Sequence, residues 1–336
     1  MSPTVLLTGG SGFIAGWVLK FLLQKEYTVI TTVRDQTKAD FLKSLYPADS
    51  KLSFVIVPDI AAPKAFDEAI KLPGIDYIIH TASPFHFKVT DPVKDLLDPA
   101  MKGTLSVLTA TKAYAPQVKQ VVITSSFAAI IDASRGNRPG YLYSEKDVNP
   151  VTWEEAIGDN PATTYRASKT FAENSAWDFL KKERPNFTVT TINPPLVWGP
   201  MLHKVSAETI NTSNASIWAL INGSCKDVIP NARVPLWVDV RNVALAHVLA
   251  IEKPAAQNQR YFVSAGNFSN AKICDYLLKQ FPELKGKVPT KLETPELTSD
   301  EIFGSDNSKS IKELGLEYIS LEQSVYDLTK QLLEWL

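Results

Sequence analysis

Two rhythms of apolar and polar positions alternate along the first half of the chain. Short runs rich in β-branched and other apolar residues recur: TVLLT (4–8), YTVITTV (27–33), KLSFVIV (51–57), IDYIIH (75–80), VKQVVIT (118–124) and FTVTTI (187–192). These predict strands. Between them, 12–25 carries apolar residues at helical spacing, and 92–114 and 161–183 predict further helices. Asn160 can cap the last of these, with Pro161 in its first turn. Strands that alternate with helices and stay apolar almost throughout predict a parallel sheet buried on both faces. The expected fold is α/β, a Rossmann-type doubly wound sheet with a smaller C-terminal substrate lobe. The segment 131–160, rich in Arg, Gly, Pro, Asn and Glu, reads as an excursion between strand and helix, in the manner of a flap. Beyond residue 193 the rhythm turns irregular. Helices are expected near 206–222, 240–252, 270–280 and 321–335, and a strand at RYFVSA (260–265). The division expected is 1–192 plus about 236–265 for dinucleotide binding, with 193–235 plus about 266–336 as the substrate lobe.

Composition narrows the function classes. The chain has 336 residues, is 45% hydrophobic and 21% charged, and carries a net charge of −1. That suits a globular protein with a large core and offers no basic field for nucleic acid or an anionic membrane. The cysteines, Cys225 and Cys274, lie far apart, which suits a reduced compartment and predicts neither a disulfide framework nor a zinc site. The start, MSPTVLLTGG, lacks a basic segment followed by a long apolar core. The expectation is a cytoplasmic protein without a signal peptide or membrane span.

TGGSGFIA (8–15) follows the first strand and opens the first helix, with Gly9, Gly12 and Ala15 at G-x-x-G-x-x-A spacing. Glycine lets the backbone turn tightly and approach a pyrophosphate, which the helix N-terminus attracts. The second strand ends TTVRD, and Arg34 lies where the ribose 2′ position is read. Arginine there can grip a 2′-phosphate, and Lys38 can add a second charge, so NADP is expected. Asp35 leaves the opposite choice open, because it can take the ribose hydroxyls. Asp59, in VPDI after the third strand, can accept from an adenine amino group or simply form a turn.

Tyr165 and Lys169, in YRASK, lie one helical turn apart, but so do Tyr326 and Lys330 in YDLTK. Among 11 tyrosines the spacing alone carries little. Context favours the first copy: the fifth strand ends TSSF, placing Ser125 and Ser126 at a strand C-terminus, where open parallel sheets bind ligands. The second copy lies in an amphipathic terminal helix and reads as packing. His80, His86, His203 and His247 have no metal-ligand spacing, and no metal site is expected.

Taken in order, TGGSGFIA, VPDI, HTASP, TSS, YRASK and NPPLVWGP make the chain resemble the extended short-chain dehydrogenase/reductases. The likeness is closer to the branch of plant dihydroflavonol reductases, and closest to fungal NADPH-dependent methylglyoxal, aldehyde and ketone reductases. It implies a carbonyl reductase that uses NADPH to turn aldehydes or ketones into alcohols. Tyr165 would donate the proton, Lys169 would ease its ionisation and hold the nicotinamide ribose, and Ser126 would bind the carbonyl oxygen. Gly9, Gly12, Phe13, Ile14, Arg34, Lys38, Asp59 and Ile60 would meet the dinucleotide. Thr81, Ala82 and Ser83 would line it after the fourth strand, Asn193, Pro194, Leu196 and Val197 would shape its nicotinamide end, and Ser213 would reach it from the second lobe. Phe85, Phe127 and Leu196 would line an apolar pocket for a small carbonyl substrate. Many relatives carry an asparagine in the helix after strand four; here LDPAMKGTLSVL (97–108) has none, so three catalytic residues carry over and a fourth does not. The alternatives are a nucleotide-sugar epimerase or dehydratase, which would need lobe cations such as Lys204, Lys226, Arg233 or Arg241, and a dinucleotide sensor without catalysis. A monomer or homodimer is expected.

Overall fold

The computed structural model describes residues 2–47, 50–83, 90–203, 205–232 and 234–336. Its strands in chain order are β1 (Thr4–Thr8), β2 (Thr28–Val33), β3 (Leu52–Ile56), β4 (Ile75–His80), β5 (Gln120–Thr124), β6 (Leu142–Tyr143), β7 (Thr188–Asn193), β8 (Leu196–Trp198), β9 (Leu236–Asp239), β10 (Gln259–Phe262), β11 (Gly266–Asn267) and β12 (Gly304–Ser305). The helices are α1 (Phe13–Gln24), α2 (Gln36–Leu45), α3 (Asp67–Ile70), α4 (Asp98–Tyr114), α5 (Trp153–Ala156), α6 (Pro161–Glu183), α7 (Thr212–Ile221), α8 (Val240–Glu252), α9 (Asn270–Gln280) and α10 (Leu321–Leu332).

Seven strands form one parallel sheet in the order β10-β7-β5-β4-β1-β2-β3. The order reverses between β1 and β4, and a crevice opens there at the strand C-termini. Alternation along β1 shows why both faces are buried: Val5 and Leu7 join the cluster under α1 and α8, and Leu6 joins the one under α4 and α6. Val18, Leu22 and Val243 are fully buried on the first face, each contributing about 1.5–3 kcal/mol of apolar burial.

The smaller lobe is a mixed sheet, β11-β9-β8, covered by α7, α9 and α10 around Trp198, Trp237, Leu220, Ile273 and Leu328. β9 pairs with β8 and β11 in this small sheet, and α8 follows it directly from Val240. The helix expected from 206 begins at Thr212, because Ser206 and Thr209 close a turn ahead of it.

The segment 131–160 is not a free flap. Tyr143 is fully buried, β6 pairs with β12, and Asn149 donates to the Ala128 carbonyl at 2.8 Å. Arg260 donates to the carbonyls of Glu145 and Asp147 at 2.7 and 2.9 Å. These bonds pin the excursion to the sheet edge.

Candidate active site

The glycine loop is shaped by close contacts. Gly9 adopts φ +73°, and a Cβ there would stand 3.1 Å from that of Ala82. A Cβ on Gly10 would stand 2.1 Å from the Thr31 hydroxyl, so Gly10 is required for the loop to lie against β2. Sequence reasoning passed over Gly10; the doubled glycine in TGGSG was the signal. Gly12 is the N-cap of α1, which has no side-chain cap and no acidic residue in its first turn. The first-turn amides and the positive dipole end therefore meet the crevice without a competing carboxylate.

That crevice is a cleft of about 860 Å³. Gly9, Gly12, Arg34 and Lys38 line one side, and Asp59, Ile60, Thr81, Ala82 and Ser83 line the other. Arg34 is exposed and Lys38 half-buried. Asp35 caps α2, its carboxylate accepting from the Lys38 amide at 2.9 Å. This gives Asp35 a local task that needs no ligand. Asp59 accepts from the Ala61 amide at 2.8 Å, a turn-forming bond, while lining the cleft. Thr8 secures the far wall: its hydroxyl accepts from the amides of Thr81 and Ala82, both at 3.1 Å, and bonds His80 at 2.8 Å. Burial pushes His80 down to about 4, so the ring is neutral. The glycine turns, open amides and paired cations fit a dinucleotide with a 2′-phosphate. Phe13 and Ile14 sit in the first turn of α1, Phe13 packing against the His203 ring at 5.9 Å.

Beyond Ser83, which lines the cleft, α6 bears Tyr165 and Lys169. Asn160 caps this helix by accepting from Ala162 and Thr163 at 3.0 and 3.4 Å. Lys169 Nζ donates to Ser83 Oγ at 2.7 Å and lies 6.0 Å from the centre of the Tyr165 ring. Burial pulls the ammonium down to about 8. Burial raises the Tyr165 phenol, and a hydrogen bond with Ser126 partly offsets this. The phenol is thus held protonated, as a proton donor must be. Ser126 follows β5 in extended backbone and accepts from the Ala128 amide at 3.1 Å. The structure therefore brings Ser126 to Tyr165 and Lys169 to Ser83 from three separate elements. Glu173 and Arg260, which sequence reasoning did not single out, form an ion pair of a buried carboxylate and a half-buried guanidinium, and Glu173 also accepts from the Ser125 hydroxyl. The signal was a carboxylate one turn beyond Lys169 on the inward face of the helix.

Other expected contacts fall differently. Phe127 is 3% exposed and stacks on Phe262 at 5.0 Å, among Tyr143 and Phe303. It is core rather than pocket wall, because its backbone amide is tied to the Pro194 carbonyl at 2.8 Å, and its ring is embedded in that cluster. Ser213 accepts from the Val197 amide at 3.3 Å, so its hydroxyl ties α7 to β8. Leu196 is half-buried at the head of β8, and Asn193 and Pro194 are buried beside it. Phe85 and His86 lie outside the described residues, as do Lys204 and Arg233. Arg241, named among the lobe cations, sits between Asp239 and Asp327 at 2.8 and 2.7 Å. His247 has both ring nitrogens engaged, with Thr124 and the Val243 carbonyl, as a structural histidine should. Among the described residues no His, Cys, Asp and Glu cluster could hold a metal, and no helix is long and apolar enough to cross a membrane.

Comparison with known proteins adds to this geometry. Residues 5–265 match the NAD dependent epimerase/dehydratase family. The chain is 45% identical to ketoreductase azaE of Aspergillus niger over 339 residues, covering 99% of this chain and 98% of that one. It is 37% identical to the NADPH-dependent methylglyoxal reductase GRE2 of Saccharomyces cerevisiae, with 99% and 98% covered. The crystal structure of Gre2 from Candida albicans in complex with NADPH superposes with a TM-score of 0.90 at 40% identity, covering 99% of each chain.

Proposed function

The chain belongs to the NAD dependent epimerase/dehydratase family, and within it we propose that this protein is an NADPH-dependent carbonyl reductase. It reduces aldehydes or ketones to alcohols. The observation that carries this reading is the cleft that gathers the glycine loop, Arg34 and Lys38 and extends to Ser83, whose hydroxyl accepts from Lys169.

The first-turn amides of α1 would hold the pyrophosphate, and Arg34 with Lys38 would hold the 2′-phosphate. Asp59 and Ile60 would border the adenine, and Thr81, Ala82 and Ser83 would line the dinucleotide just beyond β4. Pro194, Leu196 and Val197 shape the nicotinamide end. When bound, NADPH supplies the hydride. Ser126 and Tyr165 hydrogen-bond the carbonyl oxygen, and Tyr165 passes its proton there. Lys169 would hold the ribose of the bound cofactor, and its charge favours loss of the phenolic proton. The substrate sits between the dinucleotide-binding body and the smaller lobe, against Leu196, and is a small apolar carbonyl such as the methylglyoxal of the yeast relative's name. The protein works as a monomer or homodimer in the cytoplasm.

Purified protein should oxidise NADPH in the presence of methylglyoxal or small ketones and oxidise NADH far more slowly. NADPH that binds but is not consumed across a carbonyl panel would turn the reading toward a sensor. The epimerase alternative is weaker because Arg241, one of the cations it would need for a diphosphate, is neutralised by Asp239 and Asp327.

A further inference from the structure

Behind the reacting residues lies a buried polar knot whose centre is Glu173. This carboxylate is 4% exposed and stands one turn beyond Lys169 and two beyond Tyr165 on α6. Its Oε2 accepts from Asn193 Nδ2 at 2.6 Å and from the Ser125 hydroxyl. Its Oε1 accepts from Arg260 Nε at 2.5 Å and from Trp177 Nε1 at 3.3 Å. Asn193 also donates to the Ser126 carbonyl at 3.2 Å. The ends of β5 and β7, the edge strand β10 and α6 therefore meet at one side chain. Two of them carry the residues that must converge on a carbonyl oxygen: β5 leads into Ser126, and α6 bears Tyr165 and Lys169.

A second observation connects the knot to Lys169. A cavity of about 20 Å³ lies between them, lined by His80, Ser83, Thr104, Ser125, Lys169 and Glu173. That is room for one water, with several polar groups to satisfy it. Around Lys169 the titratable groups are Tyr165 on its own helix, His80 from β4 and Glu173 across this cavity. Facing Glu173 are Arg260 from β10 and, across the same cavity, Lys169 and His80.

We propose that Glu173, anchored by Arg260, is a positioning residue: it fixes Ser126 against Tyr165 through Asn193 and Ser125, and reaches Lys169 through one water in the small cavity. The proposal rests on the reductase reading for its catalytic consequence. Arg260, half-buried and also held by the Glu145 and Asp147 carbonyls, fixes the carboxylate from the far side.

The test pairs turnover with a readout that does not need turnover. In Glu173→Gln, kcat should fall by about 10–100-fold while NADPH affinity stays within about threefold, because the reacting groups move and the dinucleotide cradle does not. In ¹⁵N-lysine NMR, with Lys169→Arg to assign the signal, Lys169 should titrate at lower pH than in the native protein. A Glu173→Gln protein with native kcat, or with Lys169 titrating at its native pH, overturns the proposal. If Glu173→Gln does not fold, Ser125→Ala decides in its place. A fall in kcat of about threefold or more with a displaced Lys169 titration supports the proposal, and no change in either overturns it. A native protein that consumes no NADPH with any carbonyl sinks the reductase reading alone, since the lysine titration still decides the placement of Glu173.

Discussion

The two Tyr-x-x-x-Lys copies have nearly the same internal geometry. Lys169 Nζ lies 6.0 Å from the Tyr165 ring centre, and Lys330 Nζ lies 5.7 Å from that of Tyr326. The helix alone sets this distance. Everything else differs. Tyr326 stacks on Phe281 at 5.3 Å in the small lobe's apolar cluster, and Lys330 is exposed. Tyr165 meets Ser126 from the end of β5, and Lys169 meets Ser83 from the end of β4. A phenol and an ammonium become a reactive pair only where other elements desolvate them and bring a third partner. The spacing is a property of helices, whereas the chemistry is a property of strand ends.

The comparison can be broken most directly by removing each phenol. Tyr165→Phe should lower kcat by about 10²–10⁴-fold and leave NADPH binding nearly intact. Tyr326→Phe should stay within about twofold in kcat, and steady-state assays showing equal losses would erase the distinction. Arg34→Ala probes the far end of the cleft, which the second copy lacks. The KM for NADPH should rise about 10–100-fold, the worth of one charge-assisted bond, with little change for NADH. The alkaline limb gives a smaller effect with a definite sign. Burial disfavours the charged form of Lys169, which titrates near 8, so the cation needed for turnover is lost as pH rises through that value. Rates should fall about tenfold per pH unit above it, and Lys169→Arg should abolish that limb in a kcat/KM profile. Lys330→Ala should leave the limb unchanged and shift stability by no more than about 0.5 kcal/mol, measured by urea unfolding.

What was legible in the sequence was what local periodicity and turn chemistry encode. The helix at 161–183 has its expected ends because Asn160 and Pro161 specify the start. The helices at 240–252 and 270–280 also match, and six of the seven strands of the main sheet fall within two residues of their expected bounds, while β10 ends three residues short of the expected 265. The strands β6, β8, β11 and β12 have two or three residues, too few to show a period, so the small sheets were not foreseen. The cofactor end was legible because backbone turns and a helix N-terminus build it from one stretch of sequence. The support of the reacting end was not. Glu173 finds Asn193 and Arg260 at separations of 20 and 87 residues, and only folding brings them together. Phe127 misled for a related reason. It stands beside Ser126 in sequence, yet it opens a 3-10 turn after β5, and its ring turns to Phe262.

The chain crosses between body and lobe repeatedly, at Asn193–Leu196, at Asp239–Val240 and between Phe262 and Gly266. After β12, Leu314 and Leu316 pack back into the body core before α10 closes the lobe. The lobe that would shape substrate choice is therefore not a module that recombination can lift out as one exon-like block. Exchanging it between relatives means transplanting several separate segments at once, each with its body-side contacts. Substrate range on this scaffold is accordingly open to change by point substitution, and closed to change by domain shuffling.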